Sequence, residues 1–189
     1  MILLDSDLEP DAALDTLSRG KRPAVPILPA TSRKHSLPTA RTLARFLGQA
    51  QAELGLLGQV TVLLTTDAAI RRLNRRFRGK NKATDVLSFP AEGIGAEEIA
   101  GDLAISVSTA LRQAVEQGHA LSMEIKVLML HGLLHLAGFD HETDDGRMAR
   151  REQLLRKKLG LSQGLIERVA GADRAAIRRS RRRSIGPQL

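Results

Sequence analysis

Residues 122–137, SMEIKVLMLHGLLHLA, restrict the fold of this chain more than any other stretch. Val127, Leu128, Leu130, Leu133, Leu134 and Leu136 leave few polar positions around a helix of that length, so it must be covered on nearly every side. Yet the helix carries two imidazoles, His131 and His135, which at a spacing of four share one face with Cβ atoms about 6 Å apart. Each needs a partner, because a buried polar group left unpaired costs about 1–3 kcal/mol. Gly138 is suited to the left-handed turn that ends a helix, and His141 follows three residues later, able to return to the same point. Three neutral imidazoles around one ion, with a fourth position open, form the donor set of catalytic zinc. The set would also accept nickel, cobalt or copper. The bland reading of the same residues is two buried histidines and a polar turn. The helix-ending glycine at the correct place favours the metal.

The run HGLLHLAGFDH, 131–141, matches the zinc-protease pattern H-E-x-x-H-x-x-G-x-x-H except that Gly132 replaces the glutamate. In those proteases the glutamate shuttles a proton to the leaving amine, and Gly132 cannot. Phosphodiester hydrolysis places its developing charge on phosphoryl oxygens, where a metal and a cation do most of the work. Asp140, Glu142, Asp144 and Asp145 are nearby carboxylates. Asp140 is the best placed, either to orient an imidazole or act as a base, or simply to close the turn through an Asx contact. His35 lies in an irregular segment and His119 follows Gly118 at a helix end, so neither joins the site.

The 189 residues suit one domain with a real core. The absence of cysteine removes disulfides, zinc fingers and thiol catalysis. No apolar run approaches the ~20 residues that span a bilayer. The N-terminus MILLDSDLEP turns acidic after four residues, unlike a signal peptide, so a cytoplasmic protein without a membrane partner is expected. The net charge of +8 is local. Residues 71–82, RRLNRRFRGKNK, hold seven basic side chains and residues 174–189 hold six arginines, neither with an acid, which leaves −5 for the rest. Such patches suit a polyanion, or else a solvated helix face and a tail. With no Trp or Tyr, base stacking would fall to four Phe residues or to Arg planes, so RNA would be held mainly through its phosphates.

Periodicity predicts a short strand at 1–4 and a helix at 39–54 behind a capping Thr39. It further predicts a strand at 59–66, a helix from a capping Asp67 to Gly79, and strands at 84–90 and 102–108 forming an open hairpin. Helices follow at 108–118, 122–137 and 143–158. Prolines 10, 23, 26 and 29 break up residues 5–37. The expected organisation is an irregular extension with a possible first strand (1–37), one metallohydrolase domain (38–161) and a basic tail (162–189). The fold class is α+β, with a small sheet packed against helices and a metal-binding helix ending in a glycine turn.

The residues His131, Gly132, Leu133, Leu134, His135, Leu136, Gly138, Asp140 and His141 resemble the H-G-x-x-H-L-x-G-y-D-H signature of the YbeY family, metal-dependent endoribonucleases of bacterial ribosomal RNA maturation. LNRRFRGKNKATDVLSFP (73–90) and GDLAIS (101–106) are similar to two further blocks of that family, in the same order, so that the resemblance covers about 60–160. It implies one zinc ion on His131, His135 and His141, a functional Arg78 facing the metal cleft, and a mixed sheet carrying the metal helix. It also implies hydrolysis of single-stranded RNA in maturation and quality control of small-subunit ribosomal RNA, with the small ribosomal subunit and ribosome-associated proteins as partners. Arg75, Arg76, Lys80 and Lys82 would then track the RNA backbone, with Arg71 and Arg72 beside them. Ala83 stands where the family commonly has proline. Two rival readings fit the same residues. One is a metallohydrolase of peptides, against which Gly132 argues. The other is a non-catalytic RNA-binding assembly factor with a structural metal, which a fourth ligand from Asp140 or Glu142 would favour.

Overall fold

Alternation with period two builds the sheet. In β2 (Gln59–Thr65), Val60, Val62 and Leu64 are fully buried and point to one face. In β4 (Ile99–Ser106), Leu103 and Ile105 point to the same side, and Ala104 to the other. The computed structural model describes residues 1–8, 35–91, 98–141 and 143–161. Its sheet has the order β1-β2-β4-β3, where β1 is Ile2–Leu4 and β3 is Val86–Pro90. β1 and β4 run parallel to β2, and β3 runs antiparallel to β4 at the edge opposite β1, so the sheet is mixed. The short first strand expected at residues 1–4 is therefore an edge of this same sheet.

Helix α1 (Ala40–Leu54) buries Leu43, Phe46, Leu47 and Ala50, a stripe at helical spacing, against one face. Thr39 caps it, as expected. Helix α2 (Asp67–Arg78) lies on the opposite face, where Ile70 packs with Leu87 and Ala104. Helix α3 is Val107–Gln117, α4 is Leu121–Leu136 and α5 is Arg147–Lys158. Eleven of the sixteen α4 residues are buried, which makes it the central helix, covered by α1, α3, α5 and the two strands β3 and β4. The α+β class and the sheet carrying the His-bearing helix are as expected.

Several boundaries differ from the sequence expectation, each for a local reason. The α2 cap is Thr66, whose side chain accepts from the Ala69 amide, and Asp67 instead takes hydrogen bonds from Ser106, Thr109 and Arg112. Ser106 caps α3, so β4 stops there rather than at 108. Asp85 accepts from the Val86 amide, which delays β3 to 86. Asp144 accepts from the amides of Gly146 and Met148, so residues 143–146 form a turn and α5 starts at 147. The irregular segment between 9 and 34, and the tail from 162, lie outside the described residues.

Two glycines set how closely α4 meets the sheet. A Cβ on Gly132 would lie 2.7 Å from Leu103 Cδ2 and 3.2 Å from Ser88 Oγ. A Cβ on Gly101 would lie 2.4 Å from the Phe89 carbonyl and 2.9 Å from Leu136 Cδ2, and its φ is +140°. Ser88 donates to the Gly132 carbonyl at 3.3 Å. Gly132 thus faces the sheet, and a glutamate at that position would have no room.

Candidate metal centre

The last turn of α4 presents His131 and His135 toward the turn that follows. Gly138 adopts φ +82°, and the Phe139 amide bonds back to the Leu134 carbonyl at 3.0 Å, a helix stop that reverses the chain. His141 is thereby delivered to the other two. The ligating nitrogens of the three imidazoles all lie within 4.8 Å of one another. Nε2 of His131 and Nε2 of His135 are 3.3 Å apart. Two nitrogens bound at about 2.05 Å to one tetrahedral ion are separated by about 3.3 Å, so this pair already has the spacing an ion requires.

The surroundings keep His135 in ligand form. Burial, then the electrostatic influence of the neighbouring His131 and His141 imidazoles, pull the pKa of His135 down to about 4; Asp140 opposes the shift and Arg78 adds to it. His135 is therefore neutral near pH 7, as a ligand must be. His131 Nδ1 is 3.1 Å from Glu152 Oε2 on α5. Given a carboxylate partner, Nδ1 carries the proton and Nε2 keeps its lone pair toward the other histidines. Glu152 is itself buried, and Arg156 pairs with its second oxygen, Nε at 2.7 Å. Burial raises the Glu152 carboxyl, but the His131 bond and the Arg156 charge outweigh it and hold the group below its ordinary value.

Glu152 and Arg156 are the part of the site that sequence reasoning missed. Within RREQLLRKK an i,i+4 Glu–Arg pair looks like an ordinary solvated helix face, and the signal that could have found it is weak: Glu152 and Arg156 fall on the stripe of Met148 and Leu155, at i, i+4, i+7 and i+8.

The other expected residues divide by position. Arg78 ends α2, is exposed, and lies near enough to His135 for its charge to depress that ring. Asp140 is half-buried and accepts from Thr143 Oγ1 at 3.1 Å, and its charge also acts on His135. It is therefore a turn residue and a neighbour of the imidazoles at once, but not one of the converging ligand set among the described residues. Glu142 lies outside the described residues. Arg75 and Arg76 are exposed on α2, and Lys80 and Lys82 are exposed on the turn after it. That turn is pinned to the helix: Arg71 Nε donates to Asn81 Oδ1 at 2.8 Å, and Asn74 Nδ2 donates to the Lys82 carbonyl at 2.7 Å. Arg71, Arg72, Arg75, Ala68 and Asn81 line an open groove. Ala83 packs against the Ile70–Leu87–Ala104 cluster. His119 is not a simple helix-end cation, since its Nε2 pairs with the fully buried Glu124.

The family model described as Endoribonuclease YbeY matches residues 31–160. The chain belongs to the YbeY endoribonuclease family. The match begins well before residue 60, where the span of the sequence resemblance starts, and takes in α1. The YbeY endoribonuclease of Koribacter versatilis is 50% identical over 142 residues, covering 75% of this chain and 91% of the relative. That of Solibacter usitatus is 52% identical over 141 residues, covering 75% and 89%. Among solved structures, the solution structure of TM1509 from Thermotoga maritima aligns with a TM-score of 0.45 at 25% identity, covering 84% of this chain and 89% of that one. In this YbeY family member, no helix among the described residues is long and apolar enough to cross a membrane.

Proposed function

We propose that this chain is a zinc-dependent endoribonuclease that hydrolyses single-stranded RNA, acting in the cytoplasm on small-subunit ribosomal RNA during its maturation and quality control. The observation that carries the reading is the convergence of His131, His135 and His141, with Arg78 beside them and no room for a general base at Gly132. When bound, a divalent ion there supplies Lewis acidity, polarising a phosphoryl oxygen and lowering the pKa of water. The chain's own residues do the rest. Glu152 fixes the His131 ring and its tautomer, and Arg156 fixes Glu152. Arg78, whose guanidinium forks onto two oxygens of one phosphate, neutralises charge as the phosphoryl centre becomes pentacovalent. Asp140 takes a proton from the attacking water. One P–O bond of the backbone breaks as the new one to the water oxygen forms, the departing ribose oxygen takes up a proton from solvent to become a hydroxyl, and the RNA leaves as two fragments. Arg75, Arg76, Lys80 and Lys82 hold flanking phosphates. Peptide hydrolysis is disfavoured because the position that serves as proton shuttle in zinc proteases is packed against Leu103.

The test is cleavage of a single-stranded ribosomal RNA fragment by nuclease-free preparations of wild type and His135→Ala. Cleavage by wild type alone supports the reading, and equal cleavage by both refutes it.

A further inference from the structure

The basic segment that supplies Arg78 also carries an aromatic surface. The chain has four Phe and no Tyr or Trp. Phe46 is buried in the main core, and Phe139 and Phe89 are partly buried against the two apolar clusters. Phe77 is 57% exposed, the one exposed phenylalanine among the described residues. The ring is flanked by Arg75, Arg76 and Arg78, all exposed. Its orientation is fixed nonetheless. Phe89 of β3 meets it edge to face, centroids 5.1 Å apart at 67°, and the Arg76 guanidinium carbon lies over its ring 5.4 Å from the centroid. A half-exposed ring held by Phe89 and a guanidinium, inside a seven-charge cluster and one residue before Arg78, suits the bases of a polyanionic strand whose phosphates the same cluster would hold.

We propose that Phe77 is the stacking platform for one base of the single-stranded RNA, a base adjoining the phosphate that Arg78 engages. The inference rests on the endoribonuclease reading above and adds a contact to the base itself, where phosphate contacts alone would be indifferent to bases. Stacking tolerates any base, so the platform selects unpaired strands over duplexes, whose bases are already stacked, without selecting a sequence.

The test is equilibrium binding of the full chain to a short single-stranded RNA and to the same oligonucleotide with abasic sites, by fluorescence anisotropy in chelator so that nothing is cleaved. One 2-aminopurine in the first oligonucleotide reports stacking by quenching. Wild type is expected to bind the base-bearing RNA about tenfold more tightly than the abasic one, the loss of one stacked base. Phe77→Ala should bind both equally, lose the quenching, and keep the wild-type slope of affinity against salt, because no phosphate contact is removed. Phe77→Tyr should restore preference and quenching, whereas Phe77→Leu, which preserves apolar packing on Phe89, should not. Equal binding of both oligonucleotides by wild type, or full base preference in Phe77→Ala, overturns the platform while leaving RNA binding intact. Preference restored by Phe77→Leu assigns the ring to packing and overturns it too. Failure of wild type to bind either RNA overturns the endoribonuclease reading and the platform with it.

Discussion

Glu152→Gln is the substitution whose consequences the structure specifies most closely. The carboxylate accepts from His131 Nδ1 through one oxygen and from Arg156 through the other, with both side chains of the Glu–Arg pair nearly inaccessible. A glutamine has one acceptor and one amide nitrogen that only donates. If its oxygen stays on Arg156, the amide faces His131, whose Nδ1 must become an acceptor and move its proton to Nε2, the ligating atom. If the amide turns to Arg156, two donors meet in a buried space. Removing one partner of a buried ion pair costs about 3–5 kcal/mol. Glutamine keeps one of the two bonds, so about 2–3 kcal/mol is expected. Loss of the partner that orients a metal-ligating imidazole should weaken metal binding about 10- to 100-fold. Urea denaturation in chelator reads the first effect and zinc competition against a chromophoric chelator reads the second. The variant should also flatten part of the acid limb. The native carboxyl is held below its unfolded value, so its contribution is complete above that value and is lost as pH falls through the depressed one. Unchanged stability together with unchanged zinc affinity would refute the assignment of Glu152 as the residue that orients His131.

Further outcomes follow from the same geometry. In metal-free protein His135 has a folded pKa of about 4 against 6.5 unfolded, so stability is full above 6.5 and declines as pH falls toward 4; His135→Ala should lack this component in urea melts across that range. Arg78→Ala should slow RNA cleavage about 10²–10³-fold with a much smaller change in RNA affinity, and Arg78→Lys should recover only part, measured by single-turnover kinetics and by binding in chelator. Gly101→Ala should cost about 2–4 kcal/mol in urea denaturation, because its Cβ meets a backbone oxygen at 2.4 Å and its φ of +140° disfavours any side chain.

The sequence made α4 and its histidines legible because a nearly unbroken apolar helix can be buried in few ways and polar residues within it stand out. The turn at Gly138 was readable for the same reason. Glu152 and Arg156 were not, since their helix is mostly charged and only two apolar residues, Met148 and Leu155, mark the face that packs against α4. Gly132 was visible as a missing glutamate, but its cause, the close approach of Leu103 and Ser88 on two different strands, depends on contacts distant in sequence. Caps misplaced by one residue, such as Thr66 for Asp67, reflect a choice between two adjacent polar side chains. Tertiary partners decide it: Asp67 is drawn to Ser106, Thr109 and Arg112.

The most direct test of the central claim, that one ion on His131, His135 and His141 supports RNA cleavage, is a zinc titration of chelator-stripped protein with single-stranded RNA cleavage as the readout. Cleavage is expected to be absent at the start, to rise linearly and to break at one zinc per chain, with no recovery in His135→Ala. Cleavage that persists without metal, or that returns equally in the variant, would contradict it.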